Sequence, residues 1–450
     1  MSNMILNNKK LFIRAGIFLA IALLAGLIFY KAAFPGYMNE DLLAQYLQVK
    51  THVYRDWHPP IMAAWLSVLN WFFPGVQALL FFQLFLLWGS LAILSIYFYE
   101  QKFSWIFLLL GFLPWIANFE VVLWKDVEMA FSLLAAITLM IATSRKNLFA
   151  LILIFILLFY GYLVRANAVF AMIPLFWLLV QHIRPQTKIV WTGLFTLLLI
   201  FLFQFTAYIF NYKVLHAVIK HPETYMMMDD LVNMSAKVNK NLIPEVDENL
   251  VKNCNKLLGT LWCIHRGSVE EKNKNFLSNS WLITKDSWLQ AIKEYPLAYT
   301  SFRAEVFFDY LVGLRNPYYA YEFNIVNGHS YYVRQRNALT RIYETAISKS
   351  VKNHPVIFKP YFWLLTGLVL AILSCFLRGD KKIILYIRAL ILSSLLYIFG
   401  YLPITPYWDF RYIYWSVLAI NMAVALFLVS DKVGLGFFPI GRKKFENYPA

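Results

Sequence analysis

Long apolar runs separated by short polar stretches make up most of the chain. Runs of about twenty apolar residues match the length at which a helix crosses a bilayer. Lipid leaves such segments few other ways to satisfy their backbone. The pattern predicts spans over 12–30, 76–98, 104–118, 127–144, 148–164, 168–181, 189–210, 357–377, 383–402 and 412–430. The apolar run 59–72 (PPIMAAWLSVLNWF) reads differently. Pro59 and Pro60 suit the first turn of a helix, where a missing N–H costs nothing, and Pro74-Gly75 ends it. About fourteen residues reach only about 21 Å, so this helix is expected to lie along the membrane interface.

Basic residues support that choice. Lys9, Lys10 and Arg14 precede the first run, which places the N-terminus inside. If 59–72 does not cross, Arg145-Lys146, Arg184 with Lys188, Arg378 with Lys381-Lys382, and the tail with Arg442, Lys443 and Lys444 all fall inside as well. No small-residue cleavage site follows the first run, so it reads as a permanent anchor. The expected fold is therefore an all-α polytopic membrane protein with about ten spans. Residues 1–211 form an N-terminal transmembrane module with outer loops 31–75 and 119–127. Residues 212–355 form an extracytoplasmic domain, with helical segments at 282–294 and 299–313, a charged stretch at 270–276 and a Tyr-rich loop at 317–333. Spans 356–430 and a cytoplasmic tail, 431–450, complete the chain.

Composition agrees. Hydrophobic residues are 60% and charged residues 15%, against about 25% charged in soluble domains, and the mean hydropathy is +0.55. The net charge of +16 would point to nucleic acid in a soluble protein. Here the positive-inside bias accounts for much of it, and no nucleic-acid partner is expected. Cys254 and Cys263 both fall in the outer domain, where an exported thiol pair can oxidise. A disulfide and two buried thiols are both open readings. Cys375 is expected to pack within its span. No cysteine or histidine spacing suggests zinc.

The ionisable residues carry the chemistry. The expected topology puts Glu40, Asp41, Asp56, His58, Glu120, Lys125, Asp126, Glu128, Arg165, Asp409 and Arg411 on one side, from separate loops. Many abut apolar spans, where an unpaired charge is expensive; ordinary interfacial ion pairs are the plainer reading. As a set they suit group transfer from a lipid-linked phosphate. Arg165, Arg411 and Lys125 offer charge-assisted contacts to a phosphate at head-group level, and neutralising the leaving phosphate is the main catalytic need. Asp41 or Asp126 is positioned to take a proton from an attacking hydroxyl. His58 either orients a substrate or caps the helix that begins at Pro59. Glu40, Asp56, Glu128 and Asp409 are supporting candidates. No cofactor is required; a divalent cation, if used, would sit on Asp41 and Asp126 through oxygen ligands.

Three stretches carry a resemblance: Pro35-Gly36 to Asp41 with Asp56-Trp57-His58-Pro59-Pro60, then Trp124-Lys125-Asp126, then Asp409-Phe410-Arg411-Tyr412. The chain resembles the GT-C superfamily of polyprenyl-phosphate-sugar-dependent glycosyltransferases, which includes protein O-mannosyltransferases and the aminoarabinose transferase of lipid A. That family carries an acidic residue soon after its first span, matched by Asp41, and a His/Lys-Pro-Pro element opening an interfacial helix, matched by His58-Pro59-Pro60. Its second acidic site lies in the loop before the fourth span, matched by Asp126. The likeness covers about residues 12–210 and is architectural beyond them. Glu40-Asp41 within Asn-Glu-Asp departs from the mannosyltransferases' Asp-Glu, which leaves the choice of base open.

The resemblance implies an inverting transferase of the bacterial cytoplasmic (inner) membrane. It would move a sugar from an undecaprenyl-phosphate donor on the outer leaflet to an envelope glycan, a lipid such as lipopolysaccharide, or a protein. Membrane lipids are its remaining partners. A ligase or polymerase of diphosphate-linked glycans shares the same outer-face features. A transporter or flippase predicts polar groups deep in the spans, for which Gln83, Gln204 and Asn421 are the candidates.

Overall fold

The computed structural model describes residues 2–256, 258–267, 274–313, 318–323, 336–405 and 407–436. Most of the 270–276 stretch, most of the 317–333 loop, and Arg442, Lys443 and Lys444 lie outside these residues. Among the described residues the chain is almost wholly helical. Five helical segments are long and apolar enough to cross a membrane: Lys10–Ala33, Gln77–Tyr97, Ile189–Val214, Lys381–Phe399 and Phe410–Val429.

The first membrane-length helix belongs to α1 (Ser2–Ala33). Two helices follow in the first loop, α2 (Glu40–Thr51) and α3 (Ile61–Phe72). Helix α3 starts directly after Pro60, as its sequence requires, and its end exposes Trp71, Phe72 and Phe73. Helix α4 (Gln77–Tyr97) comes next. The continuous span expected over 104–118 is not one helix. It breaks into α5 (Ile106–Leu110) and α6 (Pro114–Ala117). Pro114 cannot donate to a preceding turn. Gly111 lies so close to Trp88 that a Cβ there would sit 2.5 Å from the indole. A side chain at Gly111 would push this stretch away from α4.

Helices α7 (Lys125–Ala142), α8 (Leu148–Val164), α9 (Ala168–Ile183) and α10 (Ile189–Ile209) complete the N-terminal half. Helix α7 is its centre: Val127 to Ala136 are buried without interruption, against α4, α8 and the later helix Tyr414–Val429. Helices α1 and α10 are peripheral, with 17% and 11% of their apolar windows buried. An apolar helix that is exposed around its girth needs a non-aqueous surrounding.

A second core forms after α10. Helices α11 (Glu223–Val238), α12 (Glu248–Asn253), α13 (Thr260–Gly267), α14 (Lys274–Glu294) and α15 (Pro296–Val312) enclose Met228, Leu231, Ile243 and Ile264. The Cys254–Cys263 disulfide is formed here, with Cα atoms 5.6 Å apart. A fully buried ion pair, Arg303 Nε to Asp230 Oδ1 at 2.6 Å, joins α15 to α11. Helix α16 (Ala338–Asn353) opens with an Asn337–Thr340 capping box and leads back into the bundle.

Helices α17 (Pro360–Cys375), α18 (Lys381–Phe399) and α19 (Tyr414–Val429) close the chain. Two three-residue strands pair antiparallel at their far end, β1 (Leu377–Gly379) with β2 (Val433–Leu435). Arg388 of α18 donates two hydrogen bonds to the Ser374 carbonyl, at 3.1 and 2.8 Å, and so satisfies the end of α17. Cys375 is exposed on its helix rather than packed.

Candidate functional site

The first and second loops are held together by main chain. Gly36 turns at φ +121 and leaves no room for a Cβ, which would lie 2.6 Å from Leu123. Tyr37 then pairs with the second loop as a short parallel bridge: Tyr37 N donates to Val121 O at 3.1 Å, and Leu123 N to Tyr37 O at 3.2 Å. Gln83 of α4 donates to the Glu120 and Val122 carbonyls and fixes that loop from below.

Each side chain is then aimed by a helix start. Asn39 caps α2 through a hydrogen bond from Leu42 N at 3.0 Å. This places Glu40 and Asp41 in the first turn, where the helix dipole favours carboxylates. The two diverge. Glu40 is exposed and has no ion pair among the described residues. Asp41 Oδ2 accepts from the Arg411 guanidinium at 2.9 Å. Lys125 and Asp126 open α7, whose N-cap residue, Trp124, makes no side-chain cap.

A connected cluster results. His58 Nδ1 is 2.9 Å from Lys125 Nζ, and His58 Nε2 is 3.7 Å from Asp41 Oδ1. Lys125 can only donate, so His58 Nδ1 accepts and the ring proton sits on Nε2, facing Asp41. The α3 N-cap is Pro60 and has no side-chain cap, so His58 is not the cap of that helix. Arg411 also reaches Asp409 Oδ2 at 3.1 Å, and its guanidinium carbon lies 4.3 Å from the centre of the Trp124 ring. Arg165 Nε is 3.1 Å from Asp126 Oδ1 and donates to Asn167 Oδ1 at 2.9 Å. Its NH2 donates to the Tyr401 hydroxyl at 3.1 Å. Tyr412 lies between the two arginines, with both guanidinium carbons about 5 Å from its ring centre.

Seven of the eleven ionisable residues singled out from sequence thus share one network: Asp41, His58, Lys125, Asp126, Arg165, Asp409 and Arg411. Three supporting candidates do not join it. Glu40 faces solvent. Asp56 accepts from the Tyr212 hydroxyl at 2.9 Å and from Lys220 N at 2.6 Å, so it ties the first loop to the start of the outer region. Glu128 accepts from Tyr160 of α8 at 3.1 Å. Glu120 is fully buried, and neither carboxyl oxygen has a hydrogen-bond partner among the described residues. Burial raises its pKa well above the usual carboxylate range.

Electrostatics divide the cluster's roles. Burial favours the neutral form of Asp41, but Arg411 and then Lys125 outweigh it and hold the carboxyl well below its usual range. Burial, reinforced by Lys125, lowers His58 to about 3, so its ring is neutral at pH 7. Burial lifts Asp409 to about 7 against the pull of Arg411. Both arginines have carboxylate partners. Lys125 has none within 4.0 Å among the described residues. Asp41 is the most open of the ion-paired members, with 28% of its side chain exposed.

Trp124, Tyr401, Tyr412 and Asn167 also belong to the site. Trp124 and Tyr412 stood out in sequence only as neighbours of charged residues; Tyr401 and Asn167 gave no signal. Among the described residues no group of three or more His, Cys, Asp or Glu side chains is arranged to hold a metal ion. Asp41 and Asp126 are each bound to a different guanidinium. The polar residues inside spans have local partners. Gln83 holds the second loop, Gln204 accepts from the Tyr162 hydroxyl, and Asn421 accepts from the Trp115 indole at 3.4 Å.

Comparison with known proteins adds no name to this geometry: no family profile, curated protein or solved structure matches the chain.

Proposed function

We propose that the chain is an integral-membrane glycosyltransferase of the GT-C type. It would use a polyprenyl-phosphate-linked sugar and a hydroxyl acceptor on an envelope glycan, lipid or protein, at the outer face of a bacterial cytoplasmic membrane. In this reading the chain crosses about ten times, both termini are inside, and α3 lies in the interface. One observation carries the proposal. Cations and carboxylates from four loops, far apart in sequence, meet at the mouth of an apolar bundle with one open carboxylate among them.

The chemistry follows from who is already paired. Lys125 is the cation without a carboxylate, so it is the first contact for the donor phosphate. Arg411 can reach that phosphate only by loosening its hold on Asp41. As it does so, Asp41 loses the positive neighbours that keep its basicity low. Donor binding therefore readies the base. The acceptor oxygen attacks the anomeric carbon while the bond from that carbon to the phosphate oxygen breaks. Asp41 takes the acceptor's proton, and polyprenyl phosphate leaves with its charge met by Lys125 and Arg411. Attack opposite the leaving group inverts the anomeric centre. Arg165, clamped by Asp126, Asn167 and Tyr401, holds Tyr412 against Arg411 and so positions that guanidinium.

The test is mass spectrometry of envelope glycans from cells with the protein, without it, and with Asp41→Asn. Loss of a proton acceptor of this kind slows transfer about 10²–10⁴-fold, so a glycan present with the protein should vanish in the other two strains. Normal glycans with a folded Asp41→Asn protein would sink the assignment of Asp41. No change on deleting the protein would sink the function itself.

A further inference from the structure

A second cationic site lies at the opposite end of α1. The turn between α4 and α5 folds back so that Lys102, Ser104 and Trp105 face Arg14, Ile17 and Phe18 of α1 across a cavity of about 190 Å³. Arg14 donates to the Tyr99 carbonyl, which anchors its guanidinium at the wall and leaves its other N–H groups uncommitted. Neither Arg14 nor Lys102 has a carboxylate within 4.0 Å among the described residues. The nearest acid in sequence, Glu100, accepts from the Tyr99 hydroxyl at 2.9 Å. Two unpaired cations therefore flank a polar floor, with Ser104 only 3% exposed. Beside it the surface turns apolar: Ile17 is 50% exposed and Trp105 47% exposed.

We infer that this cavity binds the phosphate head group of an acidic phospholipid, whose acyl chains run along the exposed face of α1. Two cations, one from α1 and one from the turn between α4 and α5, match one phosphodiester charge, a hydroxyl supplies a further donor, and an indole at the rim fits the interface between head group and chains. Basic pockets between spans on one membrane face take acidic lipids on these grounds. A soluble phosphate shares the charge but gains nothing from the apolar wall.

The full-length protein in neutral detergent is titrated with phosphatidylglycerol, phosphatidylcholine or inorganic phosphate, and adducts are counted by native mass spectrometry. One phosphatidylglycerol should remain bound where phosphatidylcholine is lost. Arg14→Gln and Lys102→Gln should each weaken it roughly fivefold, and the pair ~25-fold, the size expected for single basic residues at anionic lipid. Lys102→Gln leaves the Tyr99 anchor intact and guards against a folding defect in Arg14→Gln. Removing two cations elsewhere, Arg145→Gln with Lys382→Gln, should leave the adduct unchanged. Equal retention of phosphatidylcholine overturns the inference. So does an equal loss in the control pair, which would mark diffuse charge attraction, or displacement of the lipid by equimolar phosphate, which would mark a free-anion site.

Discussion

Asp41 and Glu40 are neighbours in sequence and have opposite surroundings. One carboxylate is exposed; the other sits between a guanidinium and a neutral imidazole. No periodicity separates them, because the difference comes from the Asn39 cap and from Arg411, 370 residues away. That the charged residues gather was legible from topology alone. Which of them pair was not, because pairing depends on side-chain reach across loops. Two expectations belong at this scale. Lys125→Gln should weaken binding of undecaprenyl phosphate about tenfold or more, since a charge-assisted contact contributes about 1.5–3 kcal/mol; titration followed by Trp fluorescence checks it, as Trp124 lies on Arg411. His58 should make the fold acid-sensitive. The unfolded chain takes up this proton below about pH 6.5, whereas folded His58 takes it up only near 3. Stability should therefore fall as pH drops from about 6.5 toward 3. Asp409, raised to about 7, binds protons preferentially in the folded state and acts in the opposite sense. Comparing melting curves of the protein with those of His58→Gln cancels Asp409, and the variant should lose part of the acid sensitivity.

At the level of elements, hydropathy located the long apolar helices, because such a run has few alternatives in lipid, but it gave no sign of α11, α12, α13 and α16, whose sequences are more polar. It failed at 104–118, where composition is apolar but Gly111 and Pro114 break the geometry. It gave no sign of β1 and β2, which are too short to show a period. The turn at Gly36 was visible as Pro-Gly, but its purpose was not: its bare Cα is what lets Leu123 and the second loop approach. Gly36→Ala should cost about 1–3 kcal/mol, the usual range for a residue forced into such a conformation, read as a lower melting temperature in detergent. Between α11 and α15, Asp230→Ala leaves Arg303 buried without its carboxylate partner and should cost about 3–5 kcal/mol. Limited proteolysis should then cut α11–α15 while α7, α18 and α19 stay protected.

Across the whole molecule, two hydrophobic cores form, one in the helical bundle and a second among α11–α15 that carries the disulfide. The change in polarity near residue 212 was visible in the sequence; the backbone contacts that reach from the more polar region to the site were not. Beyond the bridge at Tyr37, two more single bridges reach the site from that region: Arg55 pairs with Val218, and Tyr319 with Asp409. The first sits three residues from His58, the second two residues from Arg411. Residues 218 and 319 thus grip two different segments of the cluster by main chain. Backbone far from the charged side chains, and not those side chains alone, therefore helps fix where the two segments stand.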